Sequence, residues 1–284
     1  TDGIITTTKI ADANVTNPKL TSGSQQNFRN IIINGDMSIA QRSTSVASIT
    51  ASGYYTVDRL QTILSSLGTW TQSQSTDTPT GQGFANSLKY DCTTADASPA
   101  AGDFLMLRTK FEGQNLQYLK KGTSSAESLT ASFWVKSAKT GTFILELRDA
   151  DNSRQISKSY TISSANTWEK KTITYDGDTT GAFDNDNAVS LEVNFWLGAG
   201  TNFTSGTLAT SWTSSTSADA NRAVGQVNLA DNTANEWFVT GLQLEAGTTA
   251  SDFEFLPVDV NLQRCLRYYY KYIEGSSKTI GIGS

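Results

Sequence analysis

Histidine is absent from the 284 residues of this chain, and cysteine and proline are scarce. Without histidine, Ser-His catalytic triads, His general bases and His metal sites are all excluded. The two cysteines, Cys92 and Cys265, fit neither a disulfide framework nor a metal motif, so we expect both to be small buried apolar residues. No apolar run approaches the roughly 18 residues needed to span a bilayer, which argues against membrane insertion. A net charge of −5 without a Lys/Arg cluster argues against nucleic acid as a partner.

Small hydroxyl residues are abundant instead, since serine and threonine make up roughly a quarter of the chain. Together with 10% aromatic residues, this composition favours short strands and turns over long helices. Many short strands without alternating helices predict an all-β fold, an antiparallel β-sandwich of jelly-roll type, with one short helical interruption near Gln114–Leu119. The candidate strands are Asn30–Asn34, Thr56–Leu64, Thr69–Gln74, Ala85–Asp91, Asp103–Phe111, Leu129–Ser137, Thr142–Asp149, Thr167–Tyr175, Val189–Leu197 and Trp237–Glu245.

A five-residue repeat occupies the first part of the chain, residues 1–26, where Ile5, Ile10, Val15 and Leu20 recur at equal spacing. A period of five matches neither a helical face nor a strand face, and each unit is too small to bury its one apolar residue. The segment is therefore either a polar linker or a short fibrous stalk built from several chains. In a stalk, these four residues would be oligomer contacts.

The jelly-roll sandwich is predicted to span residues 27–256, and residues 257–284 are predicted to form a helix and a linker to a possible further distal domain. Pro257 opens a pattern with three- and four-residue steps that predicts a helix over Val258–Tyr272, leaving the sandwich. Tyr268 and Tyr269 lie on more than one face of this helix, which favours trimer contacts over a helix core. Because the chain starts at Thr1 rather than Met, we expect it to be part of a longer polypeptide.

Two tryptophans fall on the predicted polar faces of strands. Alternation places Leu129, Phe143 and Val189 on core faces, together with every second residue that follows each of them along its strand. Tryptophan on an otherwise charged face indicates a contact, which could be a sugar ring, a second subunit or a covering loop of the same chain. The candidate glycan-binding residues are Trp134, Trp196, Glu146, Arg148, Glu192 and Asn194.

An acidic loop at residues 176–187 partly matches the spacing of a calcium-binding loop. Asp176, Asp178 and Asp184 are the weak calcium candidates, but Asn187 stands where the closing glutamate would be. The alternative is an Asp/Gly-rich turn between strands. No pair of carboxylates is singled out as catalytic, so we expect a protein that is not an enzyme and needs no cofactor.

Several segments, in this order, resemble tail-fibre and related virion structural proteins of tailed bacteriophages. The central body also resembles the jelly roll of carbohydrate-binding modules, in which an acidic residue after an Asn-Gly pair and another in the last strand often hold calcium. Asp36 matches the first of these acids, but residues 241–243 offer no second. The segments that carry the resemblance are RNIIINGDMSIAQR (29–42), YYTVDRL (54–60), SFWVKS (132–137), TWEKKTITYDGDTTGAF (167–183), LEVNFWLGAG (191–200) and GLQLEAGTTASDFEFLPVDVNLQRCLRYYYKY (241–272).

The resemblance implies a homotrimeric fibre component of a virion, which would contact other virion proteins and adhere to host-surface polysaccharide through the jelly roll. Three weak sites on one fibre would bind a dense surface with high avidity. Two alternatives stay open: a structural fibre or capsid-associated spacer without a ligand, and a polysaccharide depolymerase.

Overall fold

The computed structural model describes residues 28–215 and 219–271, and within these ranges the chain forms twelve β-strands and two short α-helices. The helices are α1 (Thr201–Thr204) and α2 (Val258–Leu266), and neither has the length and apolarity needed to cross a bilayer. Turns of 3-10 helix at Gly113–Asn115 and Gln117–Leu119 match the predicted helical interruption. The strands are β1 (Ser45–Ile49), β2 (Gln61–Ser65), β3 (Thr69–Ser75), β4 (Ser87–Thr94), β5 (Phe104–Glu112), β6 (Leu129–Ser137), β7 (Gly141–Asp149), β8 (Arg154–Ile162), β9 (Glu169–Tyr175), β10 (Val189–Ala199), β11 (Thr213–Ser214) and β12 (Glu236–Ala246).

Two six-stranded sheets contain these strands, and every pairing between named strands is antiparallel. Sheet A has the order β1-β3-β4-β12-β6-β9, and sheet B has the order β11-β8-β7-β10-β5-β2. The predicted all-β antiparallel sandwich of jelly-roll type, followed by a short helix, is confirmed. The predicted stalk, with Ile5, Ile10, Val15 and Leu20, lies outside the described residues.

The core between the sheets consists of the apolar residues that alternation placed there. On β6, the odd-numbered residues from Leu129 to Val135 are all buried. The ring of Phe133 in sheet A packs edge-on against Phe195 and Tyr160 of sheet B, with centroids 5.0 and 5.1 Å away. Because burying a large apolar side chain stabilises a fold by about 1.5–3 kcal/mol, this aromatic layer is a major part of what holds the sheets together.

Strand β10 is buried on both of its faces. Its core face carries Val193 and Phe195, while Glu192, Asn194 and Trp196 on the opposite face are also buried. The reason is a segment of the same chain, residues 200–226, that crosses the outer face of sheet B. We call it the covering segment; it is described except for residues 216–218.

Helix α2 packs back against the start of the described chain and does not leave the sandwich. The amide N–H of Asn34 donates to Oδ1 of Asn261 at 3.1 Å, and Asn261 and Cys265 are buried. The ring of Phe28 lies 5.8 Å from the Arg264 guanidinium, and Lys271 donates to the carbonyl of Arg42 at 3.3 Å. Both ends of the described chain therefore adjoin the same helix.

Several sequence predictions of local structure were wrong. The predicted strand at residues 30–34 is a turn in which Asn34 adopts a positive φ of 64°. Strands β1 and β8 were not predicted, and α2 ends at Leu266. Sequence patterns set the boundaries of core strands better than those of edge strands, since the latter have fewer buried positions.

Candidate functional site

The outer face of sheet B, where Trp196 was predicted to contact a sugar, a second subunit or a covering loop, is closed by the covering segment. Trp196 is fully buried and packs against Phe203 of α1, with ring centroids 5.2 Å apart. Met106, Ile144 and Ala223 complete this second, smaller apolar cluster. Of the three contacts considered for Trp196, the structure shows a covering loop of the same chain on this face.

A buried ion pair fastens the covering segment to sheet B. The Arg222 guanidinium donates to both oxygens of Glu146, with Nε–Oε1 at 2.7 Å and Nη2–Oε2 at 2.8 Å. Asn194 donates to Oε2 of the same carboxylate at 2.9 Å, and the Arg222 guanidinium lies 5.2 Å from the Trp196 ring. Burial alone would lower the pKa of Arg222, but the adjacent Glu146 carboxylate outweighs it and raises that pKa. Glu146 and Asn194 are fully buried and engaged within the chain.

A second charged row lies beside this ion pair, nearer to solvent. Both oxygens of Glu192 are paired, one with Arg108 and one with Arg148, each at 3.2 Å. The Arg148 side chain keeps 27% of its surface exposed, whereas Glu192 keeps only 6%. Of the candidate residues on sheet B, Arg148 alone presents a substantial polar surface to solvent.

Trp134 lies on the opposite side of the molecule from Trp196, because β6 belongs to sheet A and β10 belongs to sheet B. The two tryptophans, grouped above as candidates for one glycan-binding site, therefore do not share a face. Alternation tells which side of its own strand a residue occupies, but it does not tell which of two sheets the strand joins. Whether any of these residues contacts a glycan stays a prediction.

Trp134 is half-buried on the outer face of sheet A, between Thr240 of β12 and Lys170 of β9. Within the described ranges its side chain makes no hydrogen bond, ion pair or ring contact. Its indole N–H and part of its ring are thus accessible, beside the exposed side chains of Lys170 and Thr172. A ring of this kind, with hydroxyl and ammonium groups around it, can stack on a sugar and hydrogen-bond to it.

A packed cluster of aromatic and charged side chains borders Trp134 on the same face. The Lys136 ammonium lies 4.4 Å from the ring centroid of Phe238 and 5.6 Å from that of Trp168, and it forms an ion pair with Asp77. The Trp168 indole N–H donates to the same carboxylate at 2.9 Å. Burial would raise the pKa of Asp77, but the hydrogen bonds from Lys136 and Trp168 outweigh it, so its pKa is lowered.

Trp168 and Phe238 belong to this face, although they were not among the predicted site residues. Phe238 lies directly opposite Lys136 across β12 and β6, and Trp168 precedes β9 by one residue. The signal was available in part, since Phe238 alternates with the core residues Trp237 and Val239.

The acidic loop at residues 176–187 does not bring its three calcium candidates together. Asp178 is buried and accepts two hydrogen bonds from Arg154, at 2.6 and 3.0 Å, while Lys121 lies 3.1 Å away. Asp176 and Asp184 are exposed. Across residues 28–215 and 219–271, no group of three or more acidic or cysteine side chains could hold a metal ion. The calcium interpretation was therefore wrong, because the central carboxylate is already neutralised by two cations.

Asp36, which matched one acid of a calcium site, has an amide as its partner. Its Oδ1 accepts from Asn261 Nδ2 and from the Ser38 hydroxyl, both at 3.0 Å. An uncharged donor from α2 thus binds this carboxylate, which links the start of the described chain to the helix.

The tyrosines after α2, predicted as trimer contacts, are engaged within the chain. The Tyr268 ring centroid lies 3.4 Å from the Arg59 guanidinium carbon, and that of Tyr269 lies 3.5 Å from the Arg42 carbon. Both rings are half-buried, whereas Tyr270 is 63% exposed. Their role in a trimer stays a prediction.

No protein-family profile matches the chain, and no curated protein matches it in sequence. Similar solved structures include the enzymatically active domain of tailspike protein 4 of bacteriophage CBA120, at 15% identity and a TM-score of 0.38, covering 77% of this chain and 21% of that one. A putative sugar-binding protein from Bacteroides thetaiotaomicron is similar at 12% identity and a TM-score of 0.40, covering 76% and 99%. The C-terminal family 22 carbohydrate-binding module of Clostridium thermocellum Xyn10B is similar at 12% identity and a TM-score of 0.38, covering 80% and 100%.

These similarities concern the fold and transfer no binding residue to this chain. The chain spans about a fifth of the tailspike structure it matches. The assignment of a two-sheet sandwich follows from the strand order and register of this chain.

Proposed function

We propose that the chain is a non-enzymatic component of a phage virion fibre that attaches to host-surface polysaccharide through sheet A. The phage assignment is supported by the segments of its sequence that resemble tail-fibre proteins. The observation that carries glycan binding is Trp134, a half-exposed tryptophan on the outer face of sheet A whose indole N–H has no partner among the described residues. Lys170 and Thr172 beside it supply polar groups for sugar hydroxyls.

The neighbouring cluster makes this surface rigid. Lys136, Trp168 and Asp77 are joined by an ion pair, a hydrogen bond and a ring contact. Because of these contacts, the surface that they form beside Trp134 is ordered before a ligand binds. A pre-ordered aromatic platform loses little conformational entropy on binding, which favours weak but specific sugar contacts. In a homotrimer, three such platforms would act together on a dense polysaccharide surface.

The test is adsorption of the full chain to bacterial cells and to their purified surface polysaccharides. We expect Trp134→Ala to weaken binding at least tenfold, corresponding to about 1.4 kcal/mol. Trp134→Phe keeps a stacking ring but loses the indole N–H, so its affinity should lie between those of the wild type and Trp134→Ala. Tyr270→Ala removes an exposed ring after α2 and serves as the matched control. Unchanged adsorption by folded Trp134→Ala protein would refute the site.

Two other outcomes would identify the alternatives. Release of new reducing ends from the polysaccharide would establish a depolymerase. For a structural spacer, Trp134 would be covered by a neighbouring subunit, and its fluorescence would resist acrylamide without any sugar. Because Trp70, Trp196 and Trp237 are fully buried, the Trp134 signal is best obtained as the difference between wild type and Trp134→Phe. Light scattering on a size-exclusion column would test the homotrimer, and a monomeric mass for the full chain would count against it.

A further inference from the structure

A cleft of about 510 Å³ lies between the start of the described chain, the end of β5 and helix α2. This volume is within the range of about 300–1,000 Å³ that small-molecule sites occupy. The cleft is distinct from the Trp134 surface, since none of its residues belongs to the outer face of sheet A. Its walls include three arginines, Arg59, Arg264 and Arg267, and a single carboxylate, Glu112.

Two of these arginines have no anionic partner. Arg59 and Arg264 form no ion pair within residues 28–215 and 219–271, and each has one buried guanidinium nitrogen without an acceptor, Nε in Arg59 and Nη1 in Arg264. Burial lowers the pKa of both side chains, since the charged form is partly removed from water. Leaving charged donors desolvated and unsatisfied is costly, so the arrangement favours an anion that would accept from them.

The carboxylates nearby are already occupied. Glu112 accepts from Arg267 at 2.8 Å and from Gln114 at 2.7 Å, and these hydrogen bonds outweigh burial and lower its pKa. Glu254, which lies near Arg264, accepts from the backbone N–H groups of Phe28 and Asn30. Asp58, which also interacts with Arg59, accepts from Gln41 and pairs with Arg42. None of these acids satisfies the buried nitrogens of Arg59 and Arg264, and three arginines against one carboxylate give the walls of the cleft a net positive charge.

The remaining walls suit the body of a sugar. Phe28 and Tyr118 are large exposed rings, 60% and 50% accessible, at the rim of the cleft. The side-chain carbonyls of Gln114 and Asn115 are exposed acceptors, because only their NH₂ groups are used, both by Glu112. Rings, amide acceptors and planar guanidinium donors together match a pyranose that carries a carboxylate.

We propose that this cleft binds a carboxylate-bearing saccharide unit, a hexuronic acid, with Arg264 and Arg59 receiving the carboxylate. The site is independent of the Trp134 platform. An inorganic anion shares the charge but would use neither the rings nor the amides.

The test is calorimetric titration of the full chain with trimers of galacturonate, glucuronate and mannuronate, each against its methyl ester. At least one free acid should bind ten or more times more tightly than its ester. Arg264→Gln should weaken that binding at least tenfold. Arg264→Lys keeps the charge but loses the planar guanidinium group, so its affinity should lie between those of the wild type and Arg264→Gln. Lys139→Gln removes one positive charge from a half-exposed surface ion pair and is the matched control.

Three results would overturn the proposal: no acid preferred over its ester, unchanged binding by folded Arg264→Gln protein, or inorganic phosphate binding as tightly as the best trimer. Thermal midpoints show whether each variant is folded. If Arg264→Gln does not fold, the proposal is tested with Arg264→Lys instead. Trp134→Ala should leave uronate binding unchanged and Arg264→Gln should leave the Trp134 site intact. Failure of one proposal is therefore distinguishable from failure of the other.

Discussion

Removing the Arg222 guanidinium should detach the covering segment from sheet B at a large cost in stability. Glu146 is fully buried and Arg222 is 5% exposed, so Arg222→Met would leave a buried carboxylate with Asn194 as its remaining side-chain donor. Removing one member of a buried pair destabilises a protein by about 3–5 kcal/mol, because the other charge stays desolvated and unpaired. For a domain of this size each kcal/mol lowers the thermal midpoint by about 2–4 °C, so we expect a fall of about 6–20 °C.

The assay is urea unfolding followed by tryptophan fluorescence, with acrylamide quenching of the native state as a second measurement. Trp196 lies beneath Arg222, so its quenching should rise in Arg222→Met before global unfolding begins. The control is the double variant Arg222→Met with Glu146→Leu, which removes both charges. It should recover most of the lost stability, since an apolar pair of similar volume often replaces a buried ion pair at little cost.

A loss below about 1 kcal/mol in Arg222→Met would refute this reasoning, because it would place the pair among weak surface interactions. A double variant as unstable as the single one would also count against it. In that case the covering segment would be held by the packing of Phe203 on Trp196 and not by the ion pair.

Three further predictions concern the core, the acidic loop and β12. Trp196→Ala should lower the free energy of unfolding by about 3–5 kcal/mol in urea titrations, and a loss under 1 kcal/mol would contradict its burial. Asp178 has a pKa below the usual 3.8, since hydrogen bonds from Arg154 outweigh burial, so its stabilisation is present above pH 3.8 and disappears as pH falls below it. Asp178→Asn should therefore be less stable than wild type near neutral pH, with a difference that narrows as the pH falls below 3.8; a constant difference would refute the assignment. Gly241→Ala should destabilise the chain, because φ is +61° and the new Cβ would lie 2.5 Å from the ring of Phe84, and an unchanged thermal midpoint would contradict this.

The sandwich was predictable because its central strands alternate cleanly. Between Leu129 and Val135 every second residue is apolar and every one of these is buried in the core, so sequence alone placed both the strand and its inner face. Strand β8 was missed because Lys158 interrupts the apolar series that ends at Tyr160 and Ile162. A strand of this kind is recognisable from sequence only when all of its polar residues lie on the same face.

The candidate sites were less predictable, because they depend on contacts between distant parts of the chain. The pattern placed Trp196 on the outer face of β10 but left its contact open, and only the placement of residues 200–226 explains why it is buried. That segment is rich in Ser and Thr and has no periodicity that would predict it as a cover. The cleft arginines, Arg59 and Arg264, are separated by more than two hundred residues in sequence, and no local pattern links them.

The position of α2 has a consequence for how the described chain would respond to a mechanical load. Phe28 and Lys271, at the two limits of the described chain, both lie against this helix or the loop it packs on. A pull applied between these two points would meet two sets of contacts. One belongs to α2, such as Asn34 with Asn261, and the other joins the first described residues to β12, such as the Ile31 N–H with the Leu244 carbonyl. Strand β12, in the interior of sheet A, would therefore share the tension with the helix.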